Sequence, residues 1–422
     1  MNSKAALASS AVSCDSSWPH PHVSIHTSLP FRSAAQVLLR EEATVKVLHI
    51  ITSLDQGGAE AVLCRLVAQK TEGVEYSVIS LKGEGFYGAA LEAHGISPHY
   101  FQFARFFQLA SLFEFVRLVR LIARLAPDVV QTWLYHADLI GGLAARLAGC
   151  RRVVWGIRSC NLSPELISRF TLVVAWVCAR LSGLVPAAIA CCSLQAAKEH
   201  KAVGYSASKF CVIPNGYDLS LLLPDPALRQ QVRTEWGVAD GEVLLGCVAR
   251  WDPYKDHDNL LQALSIAANA GTPVRCVLIG GGMAQSNAVL MDLLAKYNLT
   301  QSVLLAGSRK DVPSVMNALD VHVLPSVSEA FPNVLAEAMA CGTPCISTDV
   351  GDAALILGDT GWVVPRRDPR ALSLAIADAV NCVKTGAFVE RQLASRKRIV
   401  ENFSLEKMRL AYVELWRSLS HG

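Results

Sequence analysis

Two doubly wound α/β domains, Rossmann-like and facing across a cleft, are the fold class this sequence predicts. Three observations carry it. Short runs rich in Val, Ile and Leu alternate with helical spacings from about residue 44. The alternation restarts after the Pro-Asn-Gly turn at 214–216. Glycines, prolines and charges collect in the loops that follow the short runs. Such runs separated by helices mean βαβ units and a parallel sheet. At 422 residues the chain is too long for one ordinary core and suits two.

The elements follow in order. Residues 1–42, rich in Ser, Ala, His and Pro without a period, are expected as a disordered tail or a misassigned start. "TVKVLHIITSL" reads as a buried strand and "GGAEAVLCRLVAQK" as its helix. "VEYSVISL", "DVVQTWL", "RRVVWGIRS" and "AAIACCS" read as further strands. Between them "FEFVRLVRLIARLA", "ADLIGGLAARLAG" and "SPELISRFTLVVAWVCARL" are helical by spacing. "FCVIPNGYDLSLL" reads as a hinge. "EVLLGCVARW", "VRCVLIGGG", "SVLLAGS", "DVHVLPS" and "TPCISTDV" then repeat the pattern, each with a helix after it. The expected units are an N-terminal domain at 43–213, a C-terminal domain at 214–400 and a final helical segment at 401–422. In that segment Leu405, Met408, Tyr412, Leu415 and Trp416 share helical spacing.

Composition removes several classes. A net charge of +3 does not argue for nucleic acid. The 13 cysteines are scattered, with no CxxC pair or Cys/His ladder, which points to buried thiols in a reducing cytoplasm rather than to zinc. The most apolar stretch, 170–193, is broken by Arg180, Gly183 and Pro186 and does not read as a membrane span.

In open parallel sheets ligands bind beyond the carboxyl ends of the strands, so the loops there are the candidates. "LDQGGAE" places Gly57 and Gly58 between a strand and its helix, where bare amides can approach an anion. A tight turn is the plainer meaning of that pair. "VARWDPYKDHDNLLQA" brings Arg250 and Lys255 to one strand end, a pair able to neutralise a pyrophosphate without a metal or simply two exposed cations. Its "DHD" looks like a metal-binding DxD, but at a helix start Asp256 or Asp258 suits an N-cap. "LIGGGM", with Gly281, lets the backbone pass close to a ligand and lacks dinucleotide spacing. "SEAFPNVLAEAMACGTPCIS" puts Glu329 in a loop and Glu337 on the short helix after it, with Pro332 expected as the first helical residue. The helix start offers free amides and a positive dipole end to a phosphate. The two glutamates would then accept hydrogen bonds from hydroxyls of a sugar or ribose.

Taken together, "LDQGGAE", "IPNGYD", "VARWDPYKDHDNLLQA", "LIGGGM" and the Glu-x7-Glu stretch "EAFPNVLAEAMACGTPCIST" resemble the retaining glycosyltransferases of family 4, with the GT-B fold, from about residue 45 to the end. The resemblance implies transfer of a sugar from a nucleoside-diphosphate donor to a saccharide or lipid-linked saccharide. It implies no metal and no cofactor beyond the nucleotide sugar. It implies that Glu329 holds donor-sugar hydroxyls, Glu337 the ribose, and Arg250 and Lys255 the pyrophosphate. Gly57, Gly58, Gly281, Phe331, Asn333 and Val334 would complete the donor site, and His136 would stand near the transferred sugar. Arg158, just after a strand, would meet an acceptor phosphate or form a structural salt bridge. The final helix would cross back to the N-terminal domain. The family often has Gly-Leu where this chain has Pro332-Asn333, which removes one amide donor.

The same architecture serves sugar-nucleotide epimerases, phosphorylases and silent sugar-nucleotide-binding proteins. No local motif specific to these is present, and Glu-x7-Glu with the two cations favours transfer. The donor base stays open between uracil and guanine. Arg117, Arg120 and Arg124 share one face of "FEFVRLVRLIARLAPDVV", with "FARFFQLASLF" upstream. With a mean hydropathy of +0.31, this leads to the expectation of peripheral contact with an anionic membrane surface, on the inner face of the cytoplasmic membrane.

Overall fold

The computed structural model describes residues 44–103, 109–160, 162 and 167–420. The expected tail at 1–42, part of "FARFFQ" and part of "SPELI" lie outside the described residues.

Seven strands build the first sheet: β1 (Val45–Ile51), β2 (Val74–Ser80), β3 (His99–Tyr100), β4 (Val129–Trp133), β5 (Val153–Ile157), β6 (Ala188–Cys191) and β7 (Phe210–Val212). They run parallel in the order β3-β2-β1-β4-β5-β6-β7. Six more build the second: β8 (Leu244–Val248), β9 (Arg275–Ile279), β10 (Val303–Gly307), β11 (Val321–Leu324), β12 (Cys345–Thr348) and β13 (Trp362–Val364). Their order is β10-β9-β8-β11-β12-β13, again all parallel. Both sheets are therefore doubly wound, as expected. The central strands are buried on both faces, so they read as mostly apolar runs, broken by Gln131, Thr132 and His322.

Three strands escape the sequence reading. β3 has two residues and β13 three, too few to show a period. β7 is the first part of the segment taken as a hinge; its three residues pair with β6 as an edge strand.

The crossing between lobes is short. Ile213 belongs to the core of the first lobe and Tyr217 to that of the second. There the chain meets its own return path: the Tyr217 amide donates to the Phe403 carbonyl at 3.0 Å, and the Leu405 amide to the Tyr217 carbonyl at 2.8 Å. The last helix, Leu405–Ser420, then lies on the first sheet. Leu405, Met408, Tyr412, Leu415 and Trp416 are all buried and share a core with Val47 and Ile51 of β1.

His49 of β1 sits inside this contact, between the rings of Tyr76, Trp133 and Trp416. Its Nδ1 accepts from the Trp133 indole N–H at 3.1 Å, which leaves the proton on Nε2. Burial lowers its pKa to about 3. The unfolded chain therefore takes up the proton first. The stability His49 protects is complete above its ordinary pKa near 6.5 and is lost as pH falls toward 3. At about pH 5 this amounts to about 2 kcal/mol. His49→Phe is expected to show a smaller drop in melting temperature than the wild type between about pH 7.5 and about pH 5. Equal drops in the two proteins would remove His49 as an acid-labile point.

Candidate active site

The carboxyl ends of both sheets meet across one cleft. From the first lobe, the helix Gly58–Ala68 starts after β1. Gly57 is its N-cap, and a Cβ there would collide with the carboxylate of Glu60, which folds back over the helix start. A Cβ on Gly58 would stand 3.5 Å from Asn333 Nδ2. Asn333 opens the helix Asn333–Ala340 of the second lobe. Two helix N-termini thus converge, and their positive ends favour negative charge between them; at Gly58 the Glu60 carboxylate already lies over the helix start.

Around this point stand the charges. Lys255 Nζ lies 2.5 Å from Glu329 Oε1, and the Ser326 hydroxyl donates to the same oxygen at 2.8 Å. Both members of the ion pair are largely sheltered, so their attraction is screened far less than at the surface. Arg250, at the end of β8, is 72 % exposed and pairs with Asp252 at 3.0 Å. Gly281 brings its backbone alongside: a Cβ there would lie 3.9 Å from Arg250 Cβ. The preceding Gly280, at φ +143°, packs against the Ala249 carbonyl so closely that no side chain fits.

Glu337 faces the first lobe. Arg65 approaches its carboxylate at 4.0 Å and lies over the Tyr217 ring at 5.0 Å. Burial raises the Glu337 pKa, and Arg65 partly offsets this. Arg65 went unnoticed in the sequence. Its spacing of seven from Gly58, about two helical turns, was the available signal.

Several expectations are corrected. Pro332 is the N-cap, with Asn333 in the first helical position. The Phe331 ring is not on the cleft; it is 6 % exposed and packs edge-on against Phe403 in the core. Val334 packs its side chain on the same core, leaving its amide as the group it can offer. Of the two acids expected at the N-cap of His257–Asn269, Asp256 holds it, in a left-handed conformation, φ +47°. Asp258 lies inside that helix, bonded to the Tyr297 hydroxyl. Asp252 caps the short 3-10 turn Pro253–Lys255 that comes before it, accepting from the Tyr254 amide at 3.0 Å.

Arg158 makes no salt bridge among the described residues. Its guanidinium donates to Asn215 Oδ1 and, at 3.3 Å, to the Tyr412 hydroxyl, and lies 5.2 Å over the Trp133 ring. Asn215 Nδ2 in turn donates to Asn333 Oδ1 at 2.8 Å, and the Tyr217 hydroxyl donates to the same atom at 2.6 Å. A hydrogen-bonded chain with the Arg158 cation in it therefore runs from the last helix through the crossing to the start of Asn333–Ala340. The departure from Gly-Leu gives that helix a side-chain anchor where it loses an amide.

His136 lies on the first turn of Tyr135–Leu147, after β4, with its ring 5.7 Å from that of Phe170. Burial first, and Lys82 second, lower its pKa, so it is neutral near pH 7. Leu134, just before, has φ +73°, an uncommon conformation for a branched residue and one that aims this turn. A second latch was invisible in the sequence. Asp352 of the second lobe accepts from the Leu194 and Gln195 amides, at 2.8 and 3.0 Å, at the start of a first-lobe helix. Among the described residues no group of three or more His, Cys, Asp or Glu side chains is placed to hold a metal ion.

Comparison with known proteins gives the family and the fold. Residues 56–221 match the family model described as Glycosyltransferase Family 4, and residues 242–381 match the one described as Glycosyl transferases group 1. A D-inositol 3-phosphate glycosyltransferase of Rhodococcus erythropolis is 31% identical over 228 residues, 52% of this chain and 50% of the relative. A UDP-Gal:alpha-D-GlcNAc-diphosphoundecaprenol alpha-1,3-galactosyltransferase of Escherichia coli is 27% identical over 258 residues, 60% of this chain and 66% of the relative. The matched part thus spans about half to two thirds of these relatives. Among solved structures, HepE of Anabaena in complex with UDP superposes with a TM-score of 0.77 at 22% identity, covering 89% of this chain and 100% of that one. The fold is the GT-B fold of that glycosyltransferase group.

Proposed function

Because the chain belongs to glycosyltransferase family 4, we propose that it moves a sugar from a nucleoside-diphosphate donor to a saccharide or lipid-linked saccharide acceptor. The transfer retains the anomeric configuration and serves polysaccharide or glycoconjugate biosynthesis. One observation carries the reading: the helix starts at Gly58 and Asn333 converge beside the Lys255–Glu329 and Arg65–Glu337 pairs.

The chemistry follows from the charges. Breaking the bond between the anomeric carbon and the phosphate oxygen leaves positive charge on the sugar and negative charge on the nucleotide. Lys255, Arg250 and the amides of Asn333 and Val334 stabilise the leaving diphosphate, with Gly281 admitting it close to the backbone. Glu329, held by Lys255 and Ser326, accepts donor-sugar hydroxyls. Glu337 accepts the ribose hydroxyls, which displace Arg65. The acceptor oxygen attacks the face that the phosphate leaves, and its proton passes to the departing phosphate oxygen. No covalent sugar–enzyme bond is needed. His136, neutral and on the acceptor side, donates or accepts at a sugar hydroxyl. Fixed protein cations take the part a metal plays elsewhere, so the reaction proceeds without one. The free thiols suit a reducing compartment, in which we place the enzyme.

HepE was solved with UDP and with UDP-glucose, and the Escherichia coli relative is named for UDP-Gal, so uridine donors are the first to try. Thermal shift with UDP- and GDP-sugars, in the presence of a chelator, is the test. A matched donor at about a hundred times its Kd is expected to stabilise the fold by about 2.7 kcal/mol. Glu337→Gln is expected to remove most of that shift. Glu329→Gln is expected to keep it and lose turnover instead. No shift with either base, or a shift that needs magnesium or manganese, would count against the donor site. The reverse pattern in the two variants would overturn the roles of the glutamates.

A further inference from the structure

Three helices cover one face of the first sheet: Leu109–Leu125, Tyr135–Leu147 and Arg169–Leu181. Such helices ordinarily turn apolar residues to the sheet and polar ones to water. These do the first and not the second. The helix Leu109–Leu125 buries Leu118 and Ile122 in the core, yet Leu112 and Phe113 are 61 % and 77 % exposed on the other side. The helix Arg169–Leu181 buries Val174 and Cys178, while Val173 and Trp176 are each 57 % exposed. Between them Leu139 and Leu143 are only partly covered, and Leu147 is exposed.

The charges on this face have one sign. Arg120, Arg124, Arg146, Arg169 and Arg180 are exposed. The acids of the three helices are Glu114, which Arg117 binds at 2.9 Å, and Asp138, which is fully buried. Arg117 is further held by the Tyr100 carbonyl and the Phe101 ring, so the surface does not depend on it. Arg180 lies over the Trp176 ring at 4.9 Å, a basic group laid on an apolar one.

The position of the face matters. Each helix follows a strand's carboxyl end and runs back from it, so its first turns border the cleft. Leu112 and Phe170 are in first turns, Phe113 and Val173 open the second, and Phe170 touches His136.

We propose that this three-helix face is a docking surface for an anionic lipid bilayer, and that the acceptor sugar reaches the cleft on a lipid carrier held in that bilayer. Apolar side chains enter the headgroup boundary and the arginines meet its charge. Among the described residues no single helix is long and apolar enough to cross a membrane, which fits a surface contact. The carrier part rests on the transfer reading above; the docking part does not.

Flotation of the full chain tests it, with vesicles of phosphatidylcholine alone or mixed with phosphatidylglycerol. Recovery on the mixed vesicles is expected to be roughly tenfold higher or more, and to fall with salt. Phe113→Ser with Trp176→Ser, and Arg120→Gln with Arg180→Gln, are each expected to lower it several-fold while leaving the donor-induced thermal shift intact. Equal recovery in the soluble fraction with both lipids would overturn the proposal, as would unchanged flotation of folded variants. A concentration-dependent dimer that the Phe113→Ser, Trp176→Ser pair dissolves would assign the face to a second copy instead. Flotation without any donor shift would strike the donor site and leave this surface standing.

Discussion

Lys255→Ala is expected to lower turnover at least about tenfold, and Arg250→Ala by about tenfold, at roughly 1.4 kcal/mol per factor of ten. The two cations are not equivalent. Lys255 is sheltered and touches Glu329, so its loss removes a charge from the diphosphate and the partner that orients a carboxylate. Without Lys255 only the Ser326 hydroxyl still holds that carboxylate, which loosens its aim at sugar hydroxyls. Arg250 is 72 % exposed and pairs with an acid two residues on, so solvent screens part of what it offers. Lys255→Ala is therefore the larger effect. The measurement is donor turnover, with and without acceptor, in variants of unchanged melting temperature. Near-wild-type rates in both would withdraw the diphosphate role, and an epimerised donor would change the reaction.

Trp416→Ala is expected to cost about 3–5 kcal/mol of stability, the range for emptying a large aromatic site in a core. Trp416 is fully buried and its indole N–H donates to Gln131 Oε1 at 3.3 Å. It packs on Tyr412 at 5.4 Å and on His49 at 5.5 Å. The truncation therefore opens a cavity and leaves the buried Gln131 oxygen without this donor. Since Tyr412 also binds Arg158, the loss is expected to reach the chain of hydrogen bonds that ends at Asn333. A weaker donor-induced shift should accompany the lower melting temperature. A stability loss below about 1 kcal/mol would mean that the last helix is not part of the first lobe's core.

Much of the fold was legible because its signals are local. A strand buried on both faces is mostly apolar, and β1, β4, β8 and β11 each show this over four to seven residues, with Lys46, His49, Gln131, Thr132 and His322 as the exceptions. The spacing of Leu405, Met408, Tyr412 and Trp416 marks one helical face without reference to what covers it. The candidate loops were found because ligands gather at strand carboxyl ends. β3, β7 and β13 were lost because two or three residues at a sheet edge carry no period.

By itself, then, the sequence determined the alternation of elements, two doubly wound lobes, and the set of glycines, glutamates and cations in the loops between them. It could do so because propensity, capping and periodicity act over a few residues. The tertiary structure alone decided the partners. It joined Lys255 to Glu329, 74 residues on, and Asp352 to amides more than 150 residues before it. It turned Phe331 inward against Phe403 and tied Arg158 to Asn215 and Tyr412. It also showed that Leu109–Leu125 keeps one apolar face in the core and leaves another exposed beside its arginines. Periodicity tells which residues share a face. Which face is covered depends on the neighbouring elements, and these are set by the order of the strands and the meeting of the two lobes.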